Sequence, residues 1–274
     1  MQTYDFATPR PVELFVEIGA GSVRVRATGT ATTRVEVTGR HEDDCVVEQR
    51  GDVVAVTIPR GRRGLFDRDG SLQVEVALPE GSAVTTRLGS ADLAITGPVG
   101  EATLQSGSGD VHAERLGGPA LVQTGSGDIT VGAADGELRV KSGSGEVRLG
   151  RTTGSVVVST GSGDVSIEAN DATAVVKTGS GDLRLGELGR EAQFSSGSGD
   201  LRVDRAASGR ITAKGASTDV RVGIPAGTPV WTDISSVTGR IQSTLRGTGQ
   251  PAEGDEHVEV RATTVSGDVS LLEV

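Results

Sequence analysis

A carboxylate recurs along this chain at a fixed interval. Asp92, Asp110, Asp128, Glu146, Asp164, Asp182 and Asp200 follow one another at steps of 18 residues, and Asp219 follows after 19. Each stands behind a Gly-Ser-Gly or a near copy of it, so carboxylate, hydroxyl and bare backbone meet once per repeat. Three chemistries use such residues. A dinucleotide loop needs a third glycine and a helix behind it. Gly125-Ser126-Gly127-Asp128-Ile129-Thr130 supplies neither, and it recurs, as no cofactor loop does. Calcium-binding β-helix repeats keep a residue between the second glycine site and the aspartate and repeat every nine. Here the aspartate follows glycine directly, once per eighteen. A serine nucleophile needs a base within hydrogen-bond reach, but His41, His112 and His257 are scattered, and only His112 falls in a regular repeat, on its outward face.

If the repeats stack, these carboxylates lie about 4.8 Å apart and repel one another. Two sources of compensation are available. Each aspartate can accept amides of its own turn, and arginines stand two residues on at Arg148, Arg184, Arg202 and Arg221. We therefore read Asp92, Asp110, Asp128, Glu146, Asp164, Asp182, Asp200 and Asp219 as structural turn acids, with calcium binding as the alternative. No metal or cofactor is expected. Cys45 is the single cysteine, beside Asp43 and Asp44, whose charge would raise its pKa and quench a thiolate. Arg60, Arg62, Arg63 and Arg68 surround Leu65–Phe66. A short charged loop is ordinarily just solvated. Its functional reading is a docking loop for an acidic partner, with Phe66 as apolar anchor. Trp231, the only tryptophan, is expected to pack beneath the C-terminal closure.

The elements that carry these residues follow from a second spacing. Apolar pairs recur every nine residues: Leu138 and Val140, Val147 and Leu149, Val156 and Val158, Val165 and Ile167. Apolar–x–apolar is a strand with one buried face, so eighteen residues make one coil of two strands. Stacking then aligns equivalent side chains in columns. One reads Leu104, Val122, Val140, Val158, Val176, Phe194, and another Val111, Ile129, Val147, Val165, Leu183, Leu201, Val220. A third is small and polar, running from Ser106 and Thr124 to Thr178 and Ser196, where hydroxyls can serve the turn backbone. The Gly-Ser-Gly glycines are expected to take positive φ. A left-handed hexapeptide helix also has eighteen residues per coil, but its period would be six. The predicted fold is all-β, a single parallel β-solenoid, right-handed by preference. Residues 1–91 form first coils with inserted strands, 92–222 the regular repeats, and 223–274 irregular coils closed by Val258–Ala262 and Val269–Leu272.

Composition agrees. Of 274 residues 41 are glycine and only 2% aromatic, so the core must be thin and aliphatic. A net charge of −10 opposes binding to phosphate backbones and to anionic membrane surfaces. No secretory signal and no apolar run of membrane-spanning length is seen, and a lone cysteine suits a reducing compartment. The expected location is the cytoplasm.

With the Gly-Ser-Gly-Asp-Val coils in place, an opening like Pro11–Ile18 and endings like Trp231–Leu245 and Val258–Leu271, the chain resembles a bacterial putative-adhesin domain family of unknown function with β-strand repeats. The resemblance implies a β-solenoid and brings no catalytic or metal residues. The absence of an export signal departs from the adhesin picture. The expected function is a non-enzymatic scaffold or protein-interaction module, its protein partner unknown, present as monomer or associated end to end. The alternatives are a bactofilin-like structural polymer, a calcium-binding repeat protein and, last, a β-helix enzyme acting on polysaccharide.

Overall fold

The computed structural model describes residues 1–40, 42–58, 71–246 and 256–274. The chain divides into two compact units, Met1–Glu137 and Leu138–Val274. Both are parallel β-solenoid, with strands alternating between two sheets and no α-helix among the described residues.

Strand pairing follows the repeat. In the first unit Ala102–Ser106 lies parallel to Ala120–Thr124 with Leu104 opposite Val122, and Val111–Leu116 lies parallel to Ile129–Ala134 with Val111 opposite Ile129. In the second unit Leu138–Ser142, Val156–Thr160, Thr173–Thr178, Glu191–Ser196 and Gly209–Gly215 pair in succession in one sheet. Val147–Thr152, Val165–Asn170, Leu183–Leu188, Leu201–Ala206 and Val220–Ile224 do so in the other. Alternate residues of each strand are buried, among them Val140, Val158, Val176 and Phe194. Burying such a side chain is worth roughly 1.5–3 kcal/mol, and strict alternation lets both sheets of every coil contribute.

The small polar column has a fixed task. Most of its hydroxyls accept the amide of the glycine three residues on: Gly109 to Ser106 at 3.0 Å, Gly127 to Thr124 at 3.0 Å, Gly163 to Thr160 at 3.0 Å and Gly181 to Thr178 at 2.8 Å, whereas Ser142 donates to the Gly145 carbonyl at 3.1 Å. The glycines differ from expectation. Those with positive φ are Gly21, Gly39, Gly51, Gly81, Gly97, Gly209 and Gly227, none of them in a Gly-Ser-Gly turn. The turn glycines are needed for closeness instead. A Cβ on Gly127 would stand 2.1 Å from the carbonyl oxygen of Gly109, and one on Gly163 2.0 Å from that of Gly145.

The ends are built differently. In the first unit the coil Glu13–Ile18 plus Gly21–Thr28 lies between two others, Ala83–Leu88 with Asp92–Val99 on one side and Val53–Thr57 with Leu72–Pro79 on the other. Antiparallel strands then cover the outer coil. Thr32–Gly39 pairs with Leu72–Pro79, Gln2–Ala7 with Thr32–Gly39, and Val46–Arg50 with Val53–Thr57.

At the C-terminal side the order of coils departs from the order of sequence. Val258–Thr264 pairs with Gly209–Gly215 on one side and Val230–Ser236 on the other. Val269–Glu273 likewise lies between Val220–Ile224 and Ile241–Ser243. The expectation that the final strand pair closes the stack is therefore overturned: the preceding coil is outermost. The reason is apolar content. Val258, Val260, Ala262, Val269 and Leu271 are all buried and need neighbours above and below, whereas Ile241 is 53% exposed.

A tight stack makes one test direct. Gly163→Ala should lower unfolding stability by about 1–3 kcal/mol through overpacking. Gly29→Ala, with open space around its Cβ, should stay within about 0.5 kcal/mol of wild type. Urea denaturation followed by circular dichroism measures both.

Candidate functional site

The repeated acids form a ladder. Asp92, Asp110, Asp164, Asp182, Asp200, Asp219 and Asp268 each accept, through Oδ1, the backbone amide of the equivalent residue one coil on, rather than an amide of their own turn. In the first unit Asp110 donates to Asp92 at 3.0 Å and Asp128 to Asp110 at 2.9 Å. In the second, Asp182 donates to Asp164 at 2.9 Å, Asp200 to Asp182 at 2.8 Å, Asp219 to Asp200 at 2.9 Å and Asp268 to Asp219 at 2.7 Å. The amide of Arg240 occupies Asp268 at 2.7 Å, and there the ladder stops. An amide on a carboxylate is a charge-assisted hydrogen bond, roughly twice as strong as a neutral one, and it offsets the repulsion along the column. The offset is incomplete at Asp200. Burial raises its pKa, the Asp219 amide opposes the rise, and the charges of Asp219 and Asp182 add to it.

The arginines two residues on do not serve the acids as a set. Arg148 pairs with Glu146. Arg184 and Arg202 both turn to Asp204, their Nε atoms 2.9 and 2.6 Å from its oxygens. Burial would raise the Asp204 pKa, but the two guanidinium groups outweigh it and hold the carboxyl below its usual range. A second fork places Glu259 between Arg210 at 2.5 Å and Arg261 at 2.6 Å. Burial opposes, but the arginines prevail and the Glu259 pKa is lowered. Asp182, Arg184, Asp200, Arg202, Asp219 and Arg221 together line an outward groove of about 480 Å³ in the second unit.

Other candidates fall elsewhere. Trp231 does not pack beneath a closure. It lies on the outermost strand, 46% exposed, with the Arg261 guanidinium carbon 5.3 Å from its ring centroid. Burial pushes the Cys45 thiol up to about 11, so desolvation, not its acidic neighbours, suppresses the thiolate. His112 projects outward from Val111–Leu116. His41 and the loop residues Arg60, Arg62, Arg63, Phe66 and Arg68 lie outside the described residues. Among the described residues no three of His, Cys, Asp and Glu come together as a metal set, and no helix is long and apolar enough to cross a membrane. Sequence reasoning missed both forks. The residues flanking Asp204 were legible from register, since Arg184 lies opposite Arg202. The Glu259 fork depends on the out-of-order coil, for which the sequence offers no spacing.

The architecture defines a class, a two-sheet parallel β-solenoid with charged, hydrogen-bonded ladders on its outside. The family model described as Toastrack DUF4097 matches residues 12–272, and the chain belongs to that family. Among solved structures, the chain is similar to a putative adhesin from Bacteroides fragilis NCTC 9343, at 12% identity over 98% of this chain and 96% of that one, with a TM-score of 0.43. It is similar also to a putative adhesin from Parabacteroides distasonis ATCC 8503, at 16% identity over 98% and 96%, with a TM-score of 0.42. A putative lipid binding protein from the same Parabacteroides strain matches at 13% identity over 100% and 96%, with a TM-score of 0.34. No curated protein matches the chain.

Two measurements test the ladder and the forks. Asp182→Ala removes the acceptor for the Asp200 amide and should cost about 0.5–1.5 kcal/mol in urea unfolding. Asp182→Asn keeps Oδ1 and should stay within about 0.5 kcal/mol of wild type. For Glu259 the folded pKa lies below the unfolded one, so its ion pairs stabilise at neutral pH and are lost as pH falls through the folded value. The stability gap between wild type and Glu259→Gln should be widest near neutrality and shrink below about pH 4.

Proposed function

We propose that this protein is a non-enzymatic scaffold that presents the outward charged face of its coils to a protein partner. What carries this reading is that the groups resembling catalytic ones already have structural tasks. The turn hydroxyls accept glycine amides, and the ladder carboxylates accept amides of the adjoining coil. A nucleophile or general base must be free to change its bonding, and these are held in a repeated hydrogen-bond pattern. The same occupancy weighs against calcium, since it leaves each ladder carboxylate only Oδ2 to offer an ion that takes six to eight oxygen ligands. The face left for recognition is the groove around Arg184, Arg202 and Arg221, where a row of arginines in register from coil to coil runs beside the row of carboxylates. Such a surface favours a protein of mixed charge over a polyanion. The adhesin names borne by structural relatives agree with an interaction role.

Two readouts bear on this. Purified protein offered generic ester and glycoside substrates should give no turnover above buffer, and a rate proportional to protein concentration would sink the scaffold reading. A photocrosslinking side chain at position 221 should capture one discrete partner in the source cell, with capture lost in an Arg184→Glu/Arg202→Glu variant. Diffuse labelling indifferent to that variant would overturn the assignment of this face.

A further inference from the structure

Among the described residues, the coil made by Val230–Ser236 and Ile241–Ser243 has a neighbour on one side only, in both sheets. Natural sheet edges are normally blunted by charge, proline, bulges or a covering segment. This one carries exposed apolar side chains instead: Trp231, Val237 and Ile241, with Val265 on the adjoining coil. Val265 and Val237 stand where Gly161, Gly179 and Gly197 stand in earlier coils, so the turn becomes apolar only at this end.

Three observations say what fits there. Among the described residues the edge presents two rows of unpaired backbone groups at once, one from each sheet, about 10 Å apart as packed sheets are. A single extended peptide can satisfy one row. A solenoid coil satisfies both. Second, a coil added in the parallel sense would need a ladder carboxylate for its turn amide, and at that position the outermost coil has Arg240 in place of the acid. The first unit's outer coil is in turn covered by antiparallel strands. Head-to-tail growth is disfavoured from both directions. Third, residues 230–243 contain one acid and one base, Asp233 and Arg240, in a chain of net charge −10. Both are exposed, and among the described residues neither enters an ion pair, unlike the forked arginines nearby.

We propose that this coil binds the same coil of a second copy, giving a closed two-fold dimer in which Val230–Ser236 of each chain pairs antiparallel with Ile241–Ser243 of the other. One register satisfies the side chains. Asp233 faces Arg240 of the other copy, Thr232 faces Ile241, and Trp231 faces Gln242. Inward residues then meet inward residues, outward meet outward, and the Asp233–Arg240 pair forms twice by symmetry. A contact of a surface with itself closes on two copies and does not propagate. The inference does not depend on the scaffold reading, although Gln242 lines both this contact and one end of the groove.

The test is a charge swap read by light scattering during size-exclusion chromatography of the full chain over a wide concentration range. Wild type should rise from 27.9 kDa toward twice that mass and stop. Asp233→Arg and Arg240→Asp should each weaken dimerisation at least about tenfold, because each sets like charges opposite one another. Mixing these two variants should restore the dimer, since a mixed pair regains one opposite-charge contact on each side, and the double variant should restore it within one chain. Thermal melting by circular dichroism should leave each variant within a few degrees of wild type, as both positions are exposed. A wild-type mass constant at 27.9 kDa up to millimolar concentration would overturn the proposal, as would mass growing without limit. Single variants that dimerise like wild type would overturn the register and the pairing built on it.

Discussion

Once in every eighteen residues this chain passes a Gly-Ser-Gly corner, and there the backbone comes within van der Waals reach of the equivalent corner before it. That approach is what the other features answer to. It excludes a Cβ at Gly127, Gly163 and Gly181, because the carbonyl oxygen of the preceding turn already fills the space. It also brings turn amides to a place where no strand partner reaches them, and a buried or half-buried amide without an acceptor is costly. The serine and threonine column takes the glycine amide within a turn, and the acid ladder takes the next amide across to the adjoining coil. The recurring Gly-Ser-Gly-Asp motif is thus a packing constraint with two hydrogen bonds attached.

Placing a carboxylate at each corner creates a column of like charge, and much of the outer surface works to contain it. Amide donation does this locally. Forks such as Arg184–Asp204–Arg202 and Arg210–Glu259–Arg261 tie neighbouring coils together elsewhere on the outer faces. Exposed ion pairs contribute little singly, but in each fork one arginine reaches the carboxylate from the adjoining strand while the other holds it from two residues away on its own strand.

The two-stranded coil and its inward columns were legible because each rests on a period, and a period survives without coordinates. What the period could not convey was geometry between coils. The turn glycines looked like positive-φ residues because turns commonly require them, yet their φ values are ordinary and the demand comes from the neighbouring coil. Arg184 and Arg202 looked like counter-ions for Asp182 and Asp200 because they lie two residues on, but Asp204 is better placed. Trp231 looked like a core residue because tryptophan usually is, and its strand proved outermost. The interleaved end left a trace only in retrospect, in the strict apolar alternation of Val258, Val260 and Ala262 beside the polar Thr232-Asp233 and Ser235-Ser236.

The interleaving also imposes an order in time. Val230–Ser236 reaches its place only against Val258–Thr264, and Ile241–Ser243 only against Val269–Glu273. A chain emerging from the ribosome at about 5–20 residues per second therefore exposes Trp231 and Ile241 for a second or more before the strands they rest on exist. Earlier coils can stack as they appear, each on the one already formed. The outermost coil has to wait, or lie on Gly209–Gly215 and then give way. For this end of the molecule, synthesis of Val258–Thr264 and Val269–Glu273 is itself a step in folding.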